Sequence, residues 1–426
     1  MDLLVFNPWW REGRLHASLV GEKRKIFTEV LNYLDLRQIL IFSGLRRVGK
    51  TTLMFQLIEE LLQRGVNPYH ILYFSFDDEI SEIRDIFSVY EKEVLKESIS
   101  GLHRIYVFLD EVQKLEGWSE KVKIIYDLYP NCKIFLSGSA AINIIKGTKE
   151  SLAGRFFNFH IEPLNFDEYL AFKKADIDTK RESIFELDIK HHLDGFLQTG
   201  GFIEAIHFDD VQLKKYFKEG LLERIVYKDI PGVFSVSSPD LLNRLVRICA
   251  ERPGIYLDYK NIANDLDYDQ RTIANYFSYL EHALIINKLY NYSSNLLTSE
   301  KKIKRAYLSN TAFTLALSGK IDWPILLEQY FVQRFKARFF SRTPQKDEVD
   351  MVLSVEGNLV PVEVKIRPKI GERDIAAIVK FLKKTGLKEG YLISGENEKT
   401  FVKDGLTIKT IPYWKYWSIE REILKN

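Results

Sequence analysis

Cysteine is scarce in this chain, and its start lacks a long apolar run. The 426 residues include only two cysteines, Cys132 and Cys249, too few for a disulfide framework, which favours a reducing compartment. The opening stretch MDLLVFNPWWREGR contains no apolar run long enough for a signal peptide or a membrane-spanning helix. We therefore expect a soluble cytoplasmic protein with no membrane partner.

An excess of either charge is lacking as well. The chain carries 61 Lys and Arg against 59 Asp and Glu, a formal net charge of +2. This balance excludes a global basic field, so any affinity for nucleic acid has to come from local patches. Hydrophobic residues make up 46% of the chain, as in a globular protein. The length is enough for about two to four domains.

Apolar strands alternate with helical stretches from about residue 20 to 165. The strand candidates are ILIFSG, HILYFSF, RIYVFLDE and CKIFLSGS. Such alternation predicts a parallel α/β sheet. Residues from about 166 to 310 have mostly helical periodicity, and the remainder returns to mixed strands and helices.

The strongest motif is a phosphate-binding loop between an apolar strand and an amphipathic helix. Its glycines let consecutive backbone N–H groups point at phosphates, Lys50 reaches the β and γ oxygens, and the Thr51 hydroxyl binds Mg²⁺. We therefore predict an ATP and Mg²⁺ site. Its nucleotide-binding residues would be Gly44, Arg46, Arg47, Val48, Gly49, Lys50, Thr51 and Thr52.

An acidic pair ends a second apolar strand in RIYVFLDEVQKLEGW. Asp110 is placed to hold Mg²⁺, and Glu111 to activate the attacking water as a general base. A helix N-cap is the structural alternative for such a pair. Having both carboxylates favours hydrolysis of the nucleotide over binding alone.

Two further features are candidates for contacts with the γ-phosphate. Ser137 and Ser139 end the strand CKIFLSGS, where they either orient the water or merely form a turn. Arg155 precedes another strand and either stabilises transition-state charge or forms a surface ion pair. If Arg155 acts in trans, the protein must form a homo-oligomer.

The order of these motifs resembles a known family. GLRRVGKTTL, FLDEVQKLEGW, FLSGSAA, SLAGRFF, PLNFDEYL, TGGFIEAI and ERIVYKDI follow one another as in the uncharacterised prokaryotic AAA+ ATPases common in archaea, with a C-terminal domain of unknown function. The resemblance spans nearly the whole chain. It implies an AAA+ P-loop core at 1–165, a helical lid at 166–240, a winged helix at 241–312 and a restriction-endonuclease-like domain at 313–426. The expected fold class is thus α/β, with a parallel P-loop core and a C-terminal PD-(D/E)XK nuclease-like α/β domain.

The winged-helix implication agrees with the local pattern. A short helix over 260–266, a polar turn and a helix from about Asp269 to His282 have helix-turn-helix spacing. The wing would offer a basic patch for DNA, although winged helices also bind proteins. On the second helix we predict outward Gln270, Arg271, Asn275 and Ser278 and inward Ile273, Phe277 and Leu280, and the wing patch consists of Lys301, Lys302, Lys304 and Arg305.

The nuclease implication rests on a helix and two strands. Members of that fold use a helical Glu, here Glu328, an Asp that opens a strand, here Asp350, and a Glu-x-Lys on the next strand, here Glu363 and Lys365 in PVEVKIRP. Asp350 and Glu363 would bind Mg²⁺, and Lys365 would stabilise charge on the phosphate or polarise the attacking water. Glu328 would steady the metal or a water beside it. The segment KFLKKTGLK offers a basic helix for the DNA backbone. Each residue alone would be read as a surface charge, and such a fold also binds DNA without cutting it.

Two functional hypotheses follow. In the first, an ATPase acts on DNA through the winged helix and the nuclease-like domain, with Mg²⁺-dependent cleavage left open. In the second, an ATP-dependent molecular switch serves signalling or complex assembly, and its small domains bind protein partners. DNA-stimulated hydrolysis that weakens with salt favours the first.

Overall fold

The computed structural model describes residues 2–77, 82–138, 152–318, 321–367 and 369–424. The chain divides into two compact units. The first comprises residues 1–172 and 202–204, and the second comprises residues 173–201 and 205–426. The predicted end of the ATPase core at residue 165 therefore lies close to the end of the first segment.

The first unit contains a five-stranded parallel sheet in the order β2-β3-β4-β1-β5. The first four strands are almost entirely buried, which explains their continuous apolar runs. The phosphate-binding loop and the acidic pair both follow carboxyl ends of strands, so the topology places them at one edge of the sheet. The strands are β1 Ile39–Ser43, β2 Ile71–Ser75, β3 Ile105–Asp110, β4 Cys132–Gly138 and β5 Phe156–His160.

Helices accompany these strands. Besides α4, which follows the phosphate-binding loop, they include short N-terminal helices and the connections after β2, β3 and β5. They are α1 Trp9–Glu12, α2 Ala17–Val20, α3 Lys25–Leu31, α4 Lys50–Gln63, α5 Ile83–Val89, α6 Trp118–Leu128 and α7 Phe166–Phe172. Short 3₁₀ or π turns cover Pro68–His70, Tyr90–Leu95, Ile99–Gly101 and Val112–Lys114.

The N-terminal segment is anchored on strand β2, at an edge of the sheet. The indole N–H groups of Trp9 and Trp10 both donate to the Ile71 carbonyl oxygen, at 3.1 and 2.9 Å. The buried Asn7 side chain accepts from Tyr73 N–H at 2.7 Å and donates to the Tyr73 carbonyl oxygen at 2.9 Å. Asn7 thus gives this edge residue the two hydrogen bonds that another strand would supply.

The second unit begins with helices and continues into a large mixed sheet. Its helices are α8 Glu186–Thr199, α9 Asp210–Lys215, α10 Pro239–Glu251, α11 Tyr259–Leu266, α12 Gln270–His282, α13 Leu296–Lys301, α14 Thr311–Leu317, α15 Trp323–Arg334, α16 Ala376–Thr385 and α17 Tyr416–Ile419. Further 3₁₀ or π turns include Ile203–His207, Tyr216–Leu222, Ile225–Asp229 and Glu420–Leu424.

A nine-stranded sheet crosses the predicted border between residues 312 and 313. Its order is β13-β14-β12-β11-β10-β9-β7-β8-β6. The connection is a parallel pair in which Tyr290 of β7 lies opposite Phe339 of β9. The strands are β6 Ile255–Tyr256, β7 Ile286–Asn291, β8 Lys304–Leu308, β9 Phe339–Arg342, β10 Glu348–Val355, β11 Asn358–Lys365, β12 Glu389–Ser394, β13 Lys399–Lys403 and β14 Leu406–Pro412.

Helices α11 and α12 flank a turn at Asp267, and the antiparallel pair β7 and β8 follows. The Asp269 carboxylate caps α12 by accepting from Thr272 N–H at 2.9 Å, as its position before an apolar-periodic helix suggests. Ile273, Phe277 and Leu280 are buried while Gln270, Arg271 and Asn275 are exposed, and Ser278 is half-buried. The element order is what a winged helix requires, and that assignment stays a prediction.

In the part of the chain that the structure describes, no helix is both long and apolar enough to cross a membrane.

Candidate functional site

The loop after β1 is shaped by Gly44. Its φ of +147° is tolerated by glycine, and a Cβ there would lie 2.2 Å from the Ile161 carbonyl oxygen. This close approach occurs because Ile161 N–H donates to the Ser43 carbonyl oxygen at 2.7 Å, which continues the pairing of β1 with β5. Any larger residue at position 44 would push the loop away from the sheet.

The rest of the loop turns into helix α4. Arg47 and Gly49 have φ of +63° and +93°, and Gly49 is the N-cap of the helix that begins at Lys50. The Arg47 guanidinium is held by the Glu204 carboxylate at 2.7 Å. Free backbone N–H groups at a helix start attract an anion, so this end of α4 suits a phosphate.

The Lys50 side chain lies inside the loop. Its ammonium group donates to the carbonyl oxygens of Leu45 at 2.7 Å and Gly44 at 3.3 Å, and only 5% of the residue is exposed. Carbonyl dipoles offer weaker partners than a phosphate dianion. We therefore expect the ammonium group to exchange these carbonyl oxygens for phosphate oxygens when a nucleotide binds.

Among the other predicted loop residues, Val48 is buried, and Arg46 and Thr52 are half-buried. Val48 supplies a carbonyl oxygen that accepts from Arg24 NH1 at 3.2 Å. The same guanidinium donates to the Glu162 carbonyl oxygen at 2.8 Å and pairs with the Glu168 carboxylate at 2.8 Å. Arg24, which the sequence did not single out, thus braces the loop from behind.

Asp110 collects hydrogen bonds from several strands. Thr51 Oγ1 donates to Asp110 Oδ2 at 2.6 Å, and the Tyr73 hydroxyl donates to the same oxygen at 2.9 Å. Asp110 Oδ1 accepts from Ser137 Oγ and from Glu111 N–H. These four hydrogen bonds hold the carboxylate in a fixed orientation. Tyr73 is a further site residue that the sequence did not reveal.

Glu111 follows in a left-handed backbone conformation, with φ of +51°. Its side chain is half-buried, and Gln113 Nε2 donates to Glu111 Oε2. A non-glycine residue with positive φ is uncommon, and such strain concentrates at functional sites. Glu111 therefore lies in a turn directly after β3, whereas Asp110 is still part of the strand.

The remaining predicted residues of the first unit have different outcomes. Ser137 lies beside Asp110, whereas Ser139 falls outside the described residues. Arg155 lies at the opposite end of the strands, because Ile39 N–H at the start of β1 donates to its carbonyl oxygen. The 5 residues of β1 span about 16 Å at roughly 3.3 Å per residue. Arg155, paired with Asp127 at 3.3 Å, is therefore too far from the loop of its own chain to contact a phosphate there.

In the second unit, the structure brings the four predicted nuclease-type residues into one buried cluster. Val364 N–H donates to Asp350 Oδ2 at 2.9 Å, and Asp350 N–H donates to Glu363 Oε2 at 3.2 Å. The Lys365 ammonium lies 2.7 Å from Glu363 Oε1. Asp350 is the third residue of β10, whereas the sequence predicted that it opens the strand.

The predicted partner Glu328 projects from helix α15 toward a different cation. Arg305 NH2 lies 2.7 Å from Glu328 Oε1, Arg305 NH1 lies 2.8 Å from Glu348 Oε1, and NH1 is 3.7 Å from Asp350 Oδ1. The Tyr307 hydroxyl also donates to Glu328. Arg305 was predicted to belong to an exposed basic patch, and that prediction is wrong because the residue is 8% exposed.

Burial governs protonation in this cluster. Desolvation, and then the charges of Glu328 and Glu363, raise the pKa of the Asp350 carboxyl well above its usual range. Burial likewise raises the pKa of Glu363, although Lys365 opposes the shift. Burial lowers the pKa of Lys365, but Asp350 and Glu363 outweigh it and leave that pKa raised. The charges are mutually dependent, so the cluster behaves as one network.

The comparisons with known proteins divide the chain into three regions. Residues 36–170 match the family profile described as AAA domain. Residues 190–322 and 325–416 match two profiles described as domains of unknown function, DUF8612 and DUF4143. The chain thus carries a region that matches the AAA domain profile and contains the phosphate-binding loop, followed by two regions that match domains of unknown function.

The relatives are themselves uncharacterised. An uncharacterized protein of Methanocaldococcus jannaschii is 27% identical over 420 residues, covering 94% of this chain and 92% of that protein. One of Haemophilus influenzae is 27% identical over 271 residues, covering 62% and 65%.

Two solved structures show only loose similarity. A Walker-type ATPase of Pyrococcus abyssi has a TM-score of 0.41 at 15% identity, covering 71% of this chain and 97% of that one. AMPPCP-bound DnaA from Aquifex aeolicus has a TM-score of 0.31 at 16% identity, covering 60% and 86%. Neither supports a shared function.

Proposed function

We propose that the first unit binds ATP with Mg²⁺ and hydrolyses it. The observation that carries this proposal is the 2.6 Å hydrogen bond from Thr51 Oγ1 to Asp110 Oδ2. It joins the start of the loop helix to the end of another strand, so two hard oxygen donors face one place beside the phosphate loop. Hydroxyl and carboxylate oxygens are the ligands that Mg²⁺ prefers, so these residues fit the ion.

Each group of this site has a distinct task. The backbone N–H groups after Gly44 and the start of α4 bind phosphate oxygens, and Lys50 leaves its carbonyl partners for the β and γ oxygens. Mg²⁺, when bound, neutralises charge that develops on the phosphates. Glu111, just beyond Asp110, accepts a proton from the attacking water as the general base. Ser137 orients Asp110 rather than the water, since its hydroxyl donates to that carboxylate.

Arg155 has a place in this proposal only if another copy of the chain supplies it. It lies at the opposite end of the strands from the phosphate-binding loop, where its half-buried side chain pairs with Asp127. A partly exposed ion pair contributes little to stability, so the Arg155 guanidinium can leave Asp127 for another partner at little cost. A trans role therefore requires a homo-oligomer, and Arg155→Ala would slow hydrolysis in the oligomer without weakening ATP binding.

For the action coupled to hydrolysis, we retain DNA as the first candidate partner. Support comes from helix α12, which exposes Gln270, Arg271 and Asn275 after a helix-turn-helix pair. The basic helix α16 exposes Lys383 and Lys384. DNA-stimulated hydrolysis that falls steeply with salt would support this candidate.

A protein-directed switch is the second candidate, and the burial of Arg305 favours it. The predicted wing patch loses this cation to two carboxylates, and the Lys304 ammonium lies 3.7 Å from the Glu300 carboxylate. The electrostatic attraction for a phosphate backbone is thereby reduced. Salt-insensitive hydrolysis with no retention of DNA would support the switch.

The ATPase proposal is tested with Lys50→Ala and Glu111→Gln beside the exposed control Lys92→Ala. We expect Lys50→Ala to lose nucleotide binding and turnover. Glu111→Gln should still bind ATP but hydrolyse it about 10²- to 10⁴-fold more slowly, as for loss of a general base. The control should match the unmodified protein. Normal hydrolysis by the Lys50 variant would refute the ATPase assignment.

A further inference from the structure

The carboxylate cluster of the second unit already contains a cation of its own. Four acidic side chains lie close together in this cluster. They are Glu328 of α15, Glu348 and Asp350 of β10, and Glu363 of β11. Arg305 of β8 extends between three of them. Carboxylates this close repel one another unless a positive charge lies between them.

We infer that the Arg305 guanidinium and the Lys365 ammonium together engage the acidic oxygens that a divalent cation would need, so that this nuclease-like cluster is a metal-free structural joint. Mg²⁺ would require oxygens at about 2.0–2.1 Å in a nearly octahedral arrangement. Here the oxygens of Glu328 and Glu348 are bound to the two terminal nitrogens of one planar group, at 2.7 and 2.8 Å. Among the described residues, no three or more Asp, Glu, His or Cys side chains are grouped to hold a metal ion.

Arg305 is fixed in this position from several sides. Its Nε donates to the Gly254 carbonyl oxygen at 3.0 Å. A Cβ at Gly254 would lie 2.3 Å from Arg305 NH2, so the glycine makes room for the guanidinium. The rings of Tyr256, Tyr307 and Phe340 surround the group at 5.8, 5.1 and 5.8 Å from its central carbon. Aromatic rings stack well on a planar guanidinium, whereas Mg²⁺ requires oxygen ligands.

Several of the oxygens that Arg305 does not reach have other partners. Asp350 Oδ2 accepts from Val364 N–H, and Glu363 binds Asp350 N–H and the Lys365 ammonium. Arg342 Nε lies 3.8 Å from Glu348 Oε2. Three cations thus face four carboxyl groups, and a buried site close to neutrality gains little from another cation. Lys365, predicted to polarise water, instead neutralises Glu363.

This inference concerns the second unit alone and goes beyond ATP hydrolysis. Through the Arg305 side chain, the joint ties strand β8 to strand β10 and helix α15, beside the backbone pairing of β7 with β9. The cluster therefore holds the helix-turn-helix region and the C-terminal strands as one body. It implies that Lys365→Ala and Asp350→Asn change stability and not DNA cleavage.

Manganese binding to the nucleotide-free full chain tests the inference. Asp110→Asn serves as the background, which removes the carboxylate of the ATP site, and Asp350→Asn is added to it. Free Mn²⁺ is followed by electron paramagnetic resonance during titration. We expect the two proteins to bind equal amounts of Mn²⁺ and to leave DNA intact. One additional Mn²⁺ bound only when Asp350 is present would overturn the inference.

Arg305→Met tests whether the guanidinium neutralises the cluster, with the exposed Arg338→Met as the matched control. Uncompensated buried carboxylates should lower the unfolding temperature by roughly 5–10 °C. Adding Glu328→Gln should recover part of that loss, since one repelling charge disappears. A variant that melts like the unmodified protein would overturn the inference. If Arg305→Met does not fold, the manganese titration decides.

Discussion

Thr51 near the start of helix α4 and Asp110 at the end of strand β3 are 59 residues apart in the chain, yet Thr51 Oγ1 donates to Asp110 Oδ2 at 2.6 Å. Strand β4 separates β1 from β3 in the sheet, so the bond crosses over an intervening strand. Ser137 at the end of β4 donates to the other oxygen of Asp110. The site therefore has its oxygen donors positioned by three strands, which limits their freedom to move apart.

Replacing the Thr51 hydroxyl should weaken Mg²⁺-dependent hydrolysis. We expect Thr51→Val to raise the Mg²⁺ concentration needed for half-maximal ATPase activity by at least about tenfold, in the range found for losing one group of a metal site. Thr51→Ser keeps the hydroxyl and should remain within about twofold of the unmodified protein. The measurement is ATPase rate against Mg²⁺ concentration. Equal curves for Val and Ser would exclude the hydroxyl from the site.

Arg24 should matter more than its ion pair alone. Arg24→Gln removes the bond to the Val48 carbonyl oxygen and leaves the Glu168 carboxylate, with a side chain 9% exposed, without its cation. Breaking such a pair costs about 3–5 kcal/mol of unfolding free energy. Loss of the brace should also weaken ATP binding.

Glu168→Gln separates these two effects. It removes the carboxylate while Arg24 keeps its carbonyl partners, so we expect lower stability with nearly unchanged ATP affinity. Denaturant unfolding and nucleotide titration check both quantities. Equal loss of ATP affinity in the two variants would show that Arg24 acts only through the ion pair.

Gly44→Ala should prevent the phosphate-binding loop from adopting its native conformation. Its Cβ would meet a backbone oxygen at 2.2 Å, and backbone cannot turn aside as a flexible side chain can. Gly65 is the matched control, because its φ is +81° with no atom within 4 Å of a Cβ. Gly65→Ala should cost about 1 kcal/mol, the strain of a positive φ alone. Nucleotide binding by Gly44→Ala at the normal affinity would contradict this account.

Both thiols should be inert in the folded protein. Burial raises the pKa of Cys249 to about 12, and burial, opposed by Arg104, raises that of Cys132 to about 12. An aromatic disulfide reagent should therefore label neither at pH 8 and both after unfolding. Unfolded thiols lose protons near their ordinary pKa of 9.0, so the thiol contribution to stability is present below that pH and decreases between pH 9 and about 12. Rapid labelling of native protein would contradict the burial.

The sequence was sufficient where the chemistry is local. The loop from Gly44 to Thr51 and the Asp110–Glu111 pair each occupy one short stretch beside a strand, and a strand end fixes where such a stretch lies. Arg155 could have been judged from the same rule, since a residue that precedes a parallel strand lies at the opposite edge from a residue that follows one.

Residues whose partners are distant in the chain were not predictable. Arg24 pairs with Glu168 and Tyr73 with Asp110, and no local pattern specifies either contact. Arg305 was predicted to be one of several exposed basic residues in KKIKR. The sequence shows its charge, but it does not show which acidic residues lie next to it in the fold. The pairing of β7 with β9 and of β9 with β10 brings Glu348 and Asp350 toward Arg305.

The strand pair β7 and β9 has a consequence for gene fusions that would separate the two parts of the second unit. It joins the regions 190–322 and 325–416, which match separate family profiles, into a single sheet. Each region alone would present an unpaired strand edge, a template for aggregation. A gene fusion that carried one region without the other would therefore need a substitute edge strand. The two regions should therefore unfold in one cooperative transition.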